Sequence, residues 1–261
     1  MNEIAGTVLV CDYVGRRRQA PVSALGLHQH GITVHNVLTS PFPRELTAAT
    51  YADQLWHRNG PFGTEVRAVL GYCAAAPIAQ ELAASLRDAT GVPVPLVLFD
   101  GEPATAASIQ AEYLLAADKL GELLSVDPAR RTPPAIDPAG LRSRPREAIE
   151  SMYRGLLEVG GHAPHDGSVD PETARAETEM FAAYYLDWLS HLIAAHNASW
   201  PAWGGSAVQI VSREHDCVTE WPGALSTETI RIAADRDTLL QQPEVAAAVL
   251  SILGKENSHA G

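Results

Sequence analysis

The sequence predicts an α/β fold: a mainly parallel sheet with helices on both faces, interrupted once by a block of helices. Three observations predict it. Short β-rich runs alternate with helical patterns, the order of elements found in α/β proteins. Those runs are almost continuously apolar, as strands are when helices bury them on both sides. The alternation stops at Gly101 and resumes near Ala207, with only helical patterns between. A chain of 261 residues can bury a sizeable core. The expected organisation is one domain over 1–261, with residues 101–205 inserted as a helical lid.

Taken in order, the strands expected near the centre of the sheet are Thr7 to Asp12, Ile32 to Leu38, Val66 to Tyr72, Val94 to Asp100, Ala207 to Ser212 and Thr229 to Ala234. Each is short, rich in Val, Ile and Leu, and bounded by turn residues. Helical spacing covers Arg44 to Arg58, Ala74 to Ala89 and Pro243 to Leu253 between and after them. Within the insertion it covers Ser108 to Leu124, Arg144 to Val159 and Pro171 to His196. The last is the clearest, with Asp170 as cap, Pro171 in the first turn and Asn197 as stop. Its apolar stripe is Phe181, Tyr184, Tyr185, Trp188, Leu189, Leu192 and Ile193.

Composition narrows the function classes. A net charge of −12 argues against a nucleic-acid partner, whose binding draws on clustered Lys and Arg. No run approaches the ~20 apolar residues that cross a bilayer, so no membrane partner is expected. The N-terminus lacks the basic and apolar regions of a signal peptide. Three cysteines, Cys11, Cys73 and Cys217, are a sparse, odd set that fits a reducing compartment. The expected location is cytoplasmic.

The most informative segment is VRAVLGYC followed by AAAPIAQELAASL. An apolar strand runs directly into a helix through Gly71-Tyr72-Cys73-Ala74-Ala75, with small residues where backbone would otherwise clash. That is the outline of a nucleophile elbow with cysteine in the usual serine position. It puts the thiol at a helix N-terminus, where the dipole favours a thiolate. The Ala74 backbone N–H is then placed for half of an oxyanion hole. A free cysteine also packs simply as a small buried apolar residue.

The run GPFGTEVRAVLGYCAAAPIAQELAASL resembles the thioesterase domains and type II thioesterases of nonribosomal peptide and polyketide synthesis, which have the α/β-hydrolase fold. Gly60, Pro61, Phe62, Gly71, Tyr72, Cys73, Glu81 and Ala83 carry the resemblance. It implies an α/β-hydrolase-type sheet, a nucleophile at Cys73 and a catalytic acid at Asp100. It also implies an oxyanion hole from the backbone of Ala74 and of Tyr13, after the first strand. Ala75 stands where the family has a second glycine. The C-terminal segment TIRIAADRDTLLQQPEVAAAVLSIL matches the family at Asp235, Leu239, Leu240, Pro243 and Val245, but Arg236 replaces the usual histidine. The family's glycine-rich loop after the first strand is here DYVGRRRQAP, with Gly15 as its only glycine.

Other residues compete for roles. His215 lies just past the strand Ala207 to Ser212 and is a candidate substitute base or substrate-binding group; Asp216 beside it is a candidate acid. Arg236 is likewise a candidate substitute base or substrate-binding group. Arg16, Arg17 and Arg18 form either a solvated loop or a contact for a phosphopantetheine phosphate or an acidic carrier domain. Ten histidines invite a metal site, but neither His28 with His30 nor His162 with His165 and Asp166 extends to a third and fourth ligand at familiar spacing. No metal is expected.

Losing the histidine matters less for a thiol than for a hydroxyl, because a thiol already ionises slightly at neutral pH. Water still needs activation to release an acyl group, so transfer to an amine or thiol should survive better than hydrolysis. The expectation is a thioesterase or acyltransferase acting through Cys73 on small-molecule, CoA or phosphopantetheine thioesters, with an acyl or peptidyl carrier protein as partner and no bound cofactor. The alternative is a degenerate relative that binds an acyl chain or a synthase without turnover.

Overall fold

The computed structural model describes residues 6–14, 19–164 and 170–256. The chain divides into two compact units: Met1–Phe42 with Ala48–Pro103 and Ala198–Gly261, and Pro43–Thr47 with Ala104–Asn197.

The first unit holds six strands: β1 (Gly6–Cys11), β2 (Ile32–Asn36), β3 (Val66–Tyr72), β4 (Leu96–Phe99), β5 (Ala207–Val211) and β6 (Thr227–Arg231). Its helices are α1 (Ala48–Asn59), α2 (Ala76–Thr90) and, at the end of the chain, α7 (Pro243–Glu256). The strands form one sheet in the order β2-β1-β3-β4-β5-β6, and every neighbouring pair is parallel. Alternate residues feed two layers. Val8, Val10, Leu70, Val97, Phe99 and Ile210 join Val245, Val249 and Leu253 of α7 in one core. The residues between them, such as Gly71 and Leu98, meet α2 on the other face.

Not all six strands lie centrally. The sheet ends at β2 and β6, and in β6 Glu228, Thr229 and Arg231 are exposed. β6 also runs from Thr227 to Arg231 and not from Thr229 to Ala234, because Thr227 already pairs with Ala207. An edge strand tolerates Thr, Glu and Arg because one side faces no partner. Its Ile230 and Ile232 made it look central.

The second unit contains α3 (Ala106–Leu123), a single turn α4 (Gly140–Ser143), α5 (Pro145–Gly160) and α6 (Pro171–His196). Asp170 caps α6, accepting from the Thr173 N–H at 3.0 Å, with Pro171 in the first turn. Helix α5 approaches its neighbours through glycines: a Cβ on Gly155 would lie 2.0 Å from the Tyr113 hydroxyl, and one on Gly160 2.3 Å from Thr178. In the α6 stripe Tyr185, Leu189, Leu192 and Ile193 are buried, whereas Tyr184 is exposed. The Trp188 indole donates to Glu112 at 3.0 Å.

Candidate active site

The order of the strands chooses where a site forms. From β1 the chain goes outward to β2 and then returns to β3 on the opposite side of β1. The crevice at the C-terminal ends of β1 and β3 is therefore a topological switch point, where open α/β sheets bind ligands. Tyr13 follows β1 and Cys73 follows β3. Tyr13 is buried and stacks on Phe42, with ring centroids 4.3 Å apart. Asp12 holds the same loop by accepting the Val22 N–H at 2.8 Å. Gly15, Arg16, Arg17 and Arg18 lie outside the described residues.

At the end of β3, Tyr72 is extended and Cys73 turns to φ +52° before the chain enters a tight turn, Cys73–Ala75, and then α2. A left-handed conformation costs a non-glycine residue roughly 1–2 kcal/mol, so surrounding structure must hold it. Gly71 shows how: a Cβ there would stand 2.9 Å from the Ala79 Cβ and 3.1 Å from the Ala76 Cα. Only glycine lets α2 come this close. Ala75 needs no glycine, because its φ of −78° is an ordinary helical value.

Asp100 follows β4 directly, with φ +43°, and is fully buried. Its Oδ1 accepts the Ser212 N–H at 2.7 Å. Arg236 then bridges the two turns. Its Nη2 donates to the Cys73 sulfur at 2.7 Å and to Glu102 Oε1 at 3.0 Å, while its Nε lies 3.9 Å from Asp100 Oδ2. Glu102 completes the cluster, since its Oε1 also accepts from the Cys73 thiol at 3.6 Å and its N–H donates to the Cys73 carbonyl at 3.3 Å. His215 is buried with Nδ1 3.9 Å from Asp100 Oδ1. Among the described residues it makes no hydrogen bond to Cys73.

The electrostatics differ from what a helix N-terminus and a nearby arginine lead one to expect. Burial pushes the Cys73 thiol up to about 11; Arg236 and the Ala74 backbone N–H pull it down, and the Glu102 carboxylate pushes it up again. The resting group is a thiol, and the expectation of a ready thiolate is corrected. Burial works against the charge of Arg236, but the sulfur, Glu102 and Tyr72 hold its pKa above the ordinary value. A guanidinium does not give up its proton in a protein, so Arg236 cannot serve as a base. The arrangement can pass a proton from Sγ to Glu102 and hold a sulfur anion against Arg236.

The structure thus gathers Cys73, Asp100 and Arg236, joins His215 through Asp100, and sets the Ala74 N–H beside the sulfur. Asp216 lines the same cleft as His215 and Arg236. Glu102 is the residue sequence reasoning passed over. Its signal was an acid two places after Asp100, just beyond a strand end. His28 and His30 are exposed on a short helical turn, Leu27–His30. His165 and Asp166 lie outside the described residues. Among the described residues no three His, Cys, Asp or Glu side chains are grouped to hold a metal ion. No helix of the described residues is long and apolar enough to cross a membrane.

No protein-family model matches the chain, and no curated protein matches it. Solved structures do. A Vlm2 thioesterase domain carrying genetically encoded 2,3-diaminopropionic acid with a bound dodecadepsipeptide is 15% identical, with a TM-score of 0.51, over 95% of this chain and 96% of that one. A second crystal form of the same complex gives 15% identity and a TM-score of 0.51 over 94% of this chain and 91% of that one. A four-domain nonribosomal peptide synthetase, holo-AB3403 bound to AMP and glycine, gives 14% identity and 0.51 over 96% of this chain and 19% of that one. At such identities the likeness carries the fold: a parallel α/β-hydrolase-type sheet like that of the Vlm2 thioesterase domain.

Proposed function

We propose that the chain is a cysteine-dependent acyltransferase of thioesterase type. The observation that supports this most is the Arg236 guanidinium between Cys73 and Asp100, where the resemblance places a histidine, with Glu102 on the same sulfur. In the first step Cys73 Sγ attacks the carbonyl carbon of an acyl thioester. Its proton passes to Glu102 Oε1 as the bond forms, because a free thiolate is disfavoured here. The carbonyl oxygen takes up negative charge towards the backbone N–H groups of Ala74 and Tyr13. The donor's thiolate leaves and recovers the proton from Glu102, and Cys73 carries the acyl group.

The second step favours an incoming amine or thiol over water. Water is a weaker nucleophile than an amine or a thiol, and the position of the usual histidine, the base that would be set on it, holds a permanent cation. The resemblance to thioesterase domains supports a donor on a phosphopantetheine arm or on CoA, and a carrier protein as the partner that presents it. The three cysteines are free, which suits a reducing, cytoplasmic setting.

The raised thiol favours a second reading, a protein that binds an acyl chain or a synthase without turnover. Intact-protein mass separates the two. The parent chain, incubated with acyl N-acetylcysteamine thioesters, should gain one acyl mass that Cys73→Ala lacks. Binding of the thioester with no mass gain would favour the second reading.

A further inference from the structure

Beside Cys73 lies a cleft of about 370 Å³ whose walls include Glu102, Glu214, His215, Asp216, Asp235 and Arg236. Four carboxylates face one guanidinium, which is itself taken up by Cys73 and Glu102. Asp235 lies 3.6 Å from Arg213. Glu214 and Asp216 have no ion-pair or hydrogen-bond partner among the described residues. Surface carboxylates alone are ordinary, but buried polar atoms without partners are not. His215 is more than nine-tenths buried, and its Nε2 makes no hydrogen bond among the described residues. Because Nδ1 faces the Asp100 carboxylate, the ring proton is assigned to Nδ1, leaving Nε2 as an acceptor without a donor. The Asp100 Oδ2, 3.9 Å from Arg236 Nε, likewise makes no hydrogen bond among the described residues. A buried acceptor left this way is costly unless a ligand supplies the donor.

We propose that this cleft binds a primary ammonium group and that the amine is the acyl acceptor. The ammonium supplies N–H donors to His215 Nε2, and Glu214 and Asp216 balance its charge. A carboxylate or phosphate ligand would meet like charge from the four carboxylates of the cleft wall. The acceptor role rests on the reading of Cys73 as acyl carrier. The bound ammonium gives one proton to His215 Nε2, and the nitrogen lone pair attacks the thioester carbonyl on Cys73. The new C–N bond forms, the C–S bond breaks, and the sulfur leaves as a thiolate held by Arg236. A second proton passes from nitrogen to sulfur, giving an amide and the Cys73 thiol, and His215 returns its proton to water.

The probe is putrescine, with neutral butane-1,4-diol as comparison. Binding is read by calorimetry on the unacylated full chain, and release by intact mass after loading Cys73 from hexanoyl-N-acetylcysteamine. Putrescine should bind and speed release, and the diol should do neither. Glu214→Gln with Asp216→Asn should weaken both effects at least about tenfold. Glu228→Gln with Glu244→Gln, the same charge change at exposed positions elsewhere, should keep both. Retention of putrescine binding by the first pair, or no advantage over the diol, overturns the proposal. If no hexanoyl adduct forms yet variant-sensitive putrescine binding is seen, the acyl-carrier reading and the acceptor role fall while the ammonium site stands. If the adduct forms and putrescine neither binds nor speeds release, the site falls and the acyl-carrier reading stands.

Discussion

The Arg236 guanidinium spans the space between the Cys73 sulfur and the Asp100 carboxylate, with Nη2 2.7 Å from Sγ and Nε 3.9 Å from Oδ2. A histidine at this place would connect the same two groups and exchange protons. The guanidinium connects them and exchanges none. It stabilises a sulfur anion without being able to create one, which leaves Glu102 as the nearest proton acceptor.

Alkylation of Cys73 should therefore be slow at neutral pH. With the thiol at about 11, the thiolate fraction grows about tenfold for each pH unit below that value. Iodoacetamide labelling of Cys73, followed by peptide mass between pH 7 and 10, should rise on that slope without levelling. A plateau near pH 8 would mean that the thiol is not raised.

Replacing the arginine should redirect the acyl group. In Arg236→His, a neutral imidazole beside Asp100 supplies a proton acceptor set on incoming water, so hydrolysis of acyl-Cys73 should rise on the order of 10²-fold relative to transfer to an added amine. Product ratios measured by chromatography check this; an unchanged ratio would mean that Asp100 cannot orient the new ring.

The elbow depends on a missing methyl group. Gly71→Ala places a Cβ against Ala76 and Ala79, which should cost about 1–3 kcal/mol of stability by overpacking. It should also slow acylation of Cys73 by moving the start of α2. Chemical denaturation and thioester loading of the same sample test the two effects together.

In the helical unit, His191 is fully buried and burial holds its pKa down at about 3. The unfolded chain takes up this proton near pH 6.5, and the folded chain does not. Stability should thus fall as pH drops from about 6.5 towards 3, by ~1.4 kcal/mol per unit from this group. Thermal unfolding at pH 7 and pH 5 should show the loss, and His191→Leu should reduce it.

Much of this was legible in the sequence. The alternation of strands and helices placed β3, the turn at Cys73 and α2 correctly, because small residues at Gly71, Ala74 and Ala75 have a direct steric meaning at a strand-to-helix turn. Asp170 and Pro171 announced the start of α6 through local capping. The edge position of β6 was hidden, since Ile230 and Ile232 imitate the apolar pattern of a buried strand. The state of the thiol was hidden for a different reason. It depends on Glu102, Arg236 and burial acting on one sulfur, and those residues meet only after β4 and the C-terminal loop are brought beside β3.

The central claim is that Glu102 takes the proton of Cys73 as the acyl group is transferred, and Glu102→Gln tests it most directly. Removing the carboxylate should lower the thiol pKa and speed iodoacetamide alkylation at pH 7.5 by about tenfold, since one pKa unit is a tenfold change in thiolate. Acylation of the same thiol by hexanoyl-N-acetylcysteamine should instead slow by about 10²-fold, because that step loses its base. Opposite changes in the two rates are the predicted result. If both rates rise together, Glu102 only suppresses the thiol and the account of the first step is wrong.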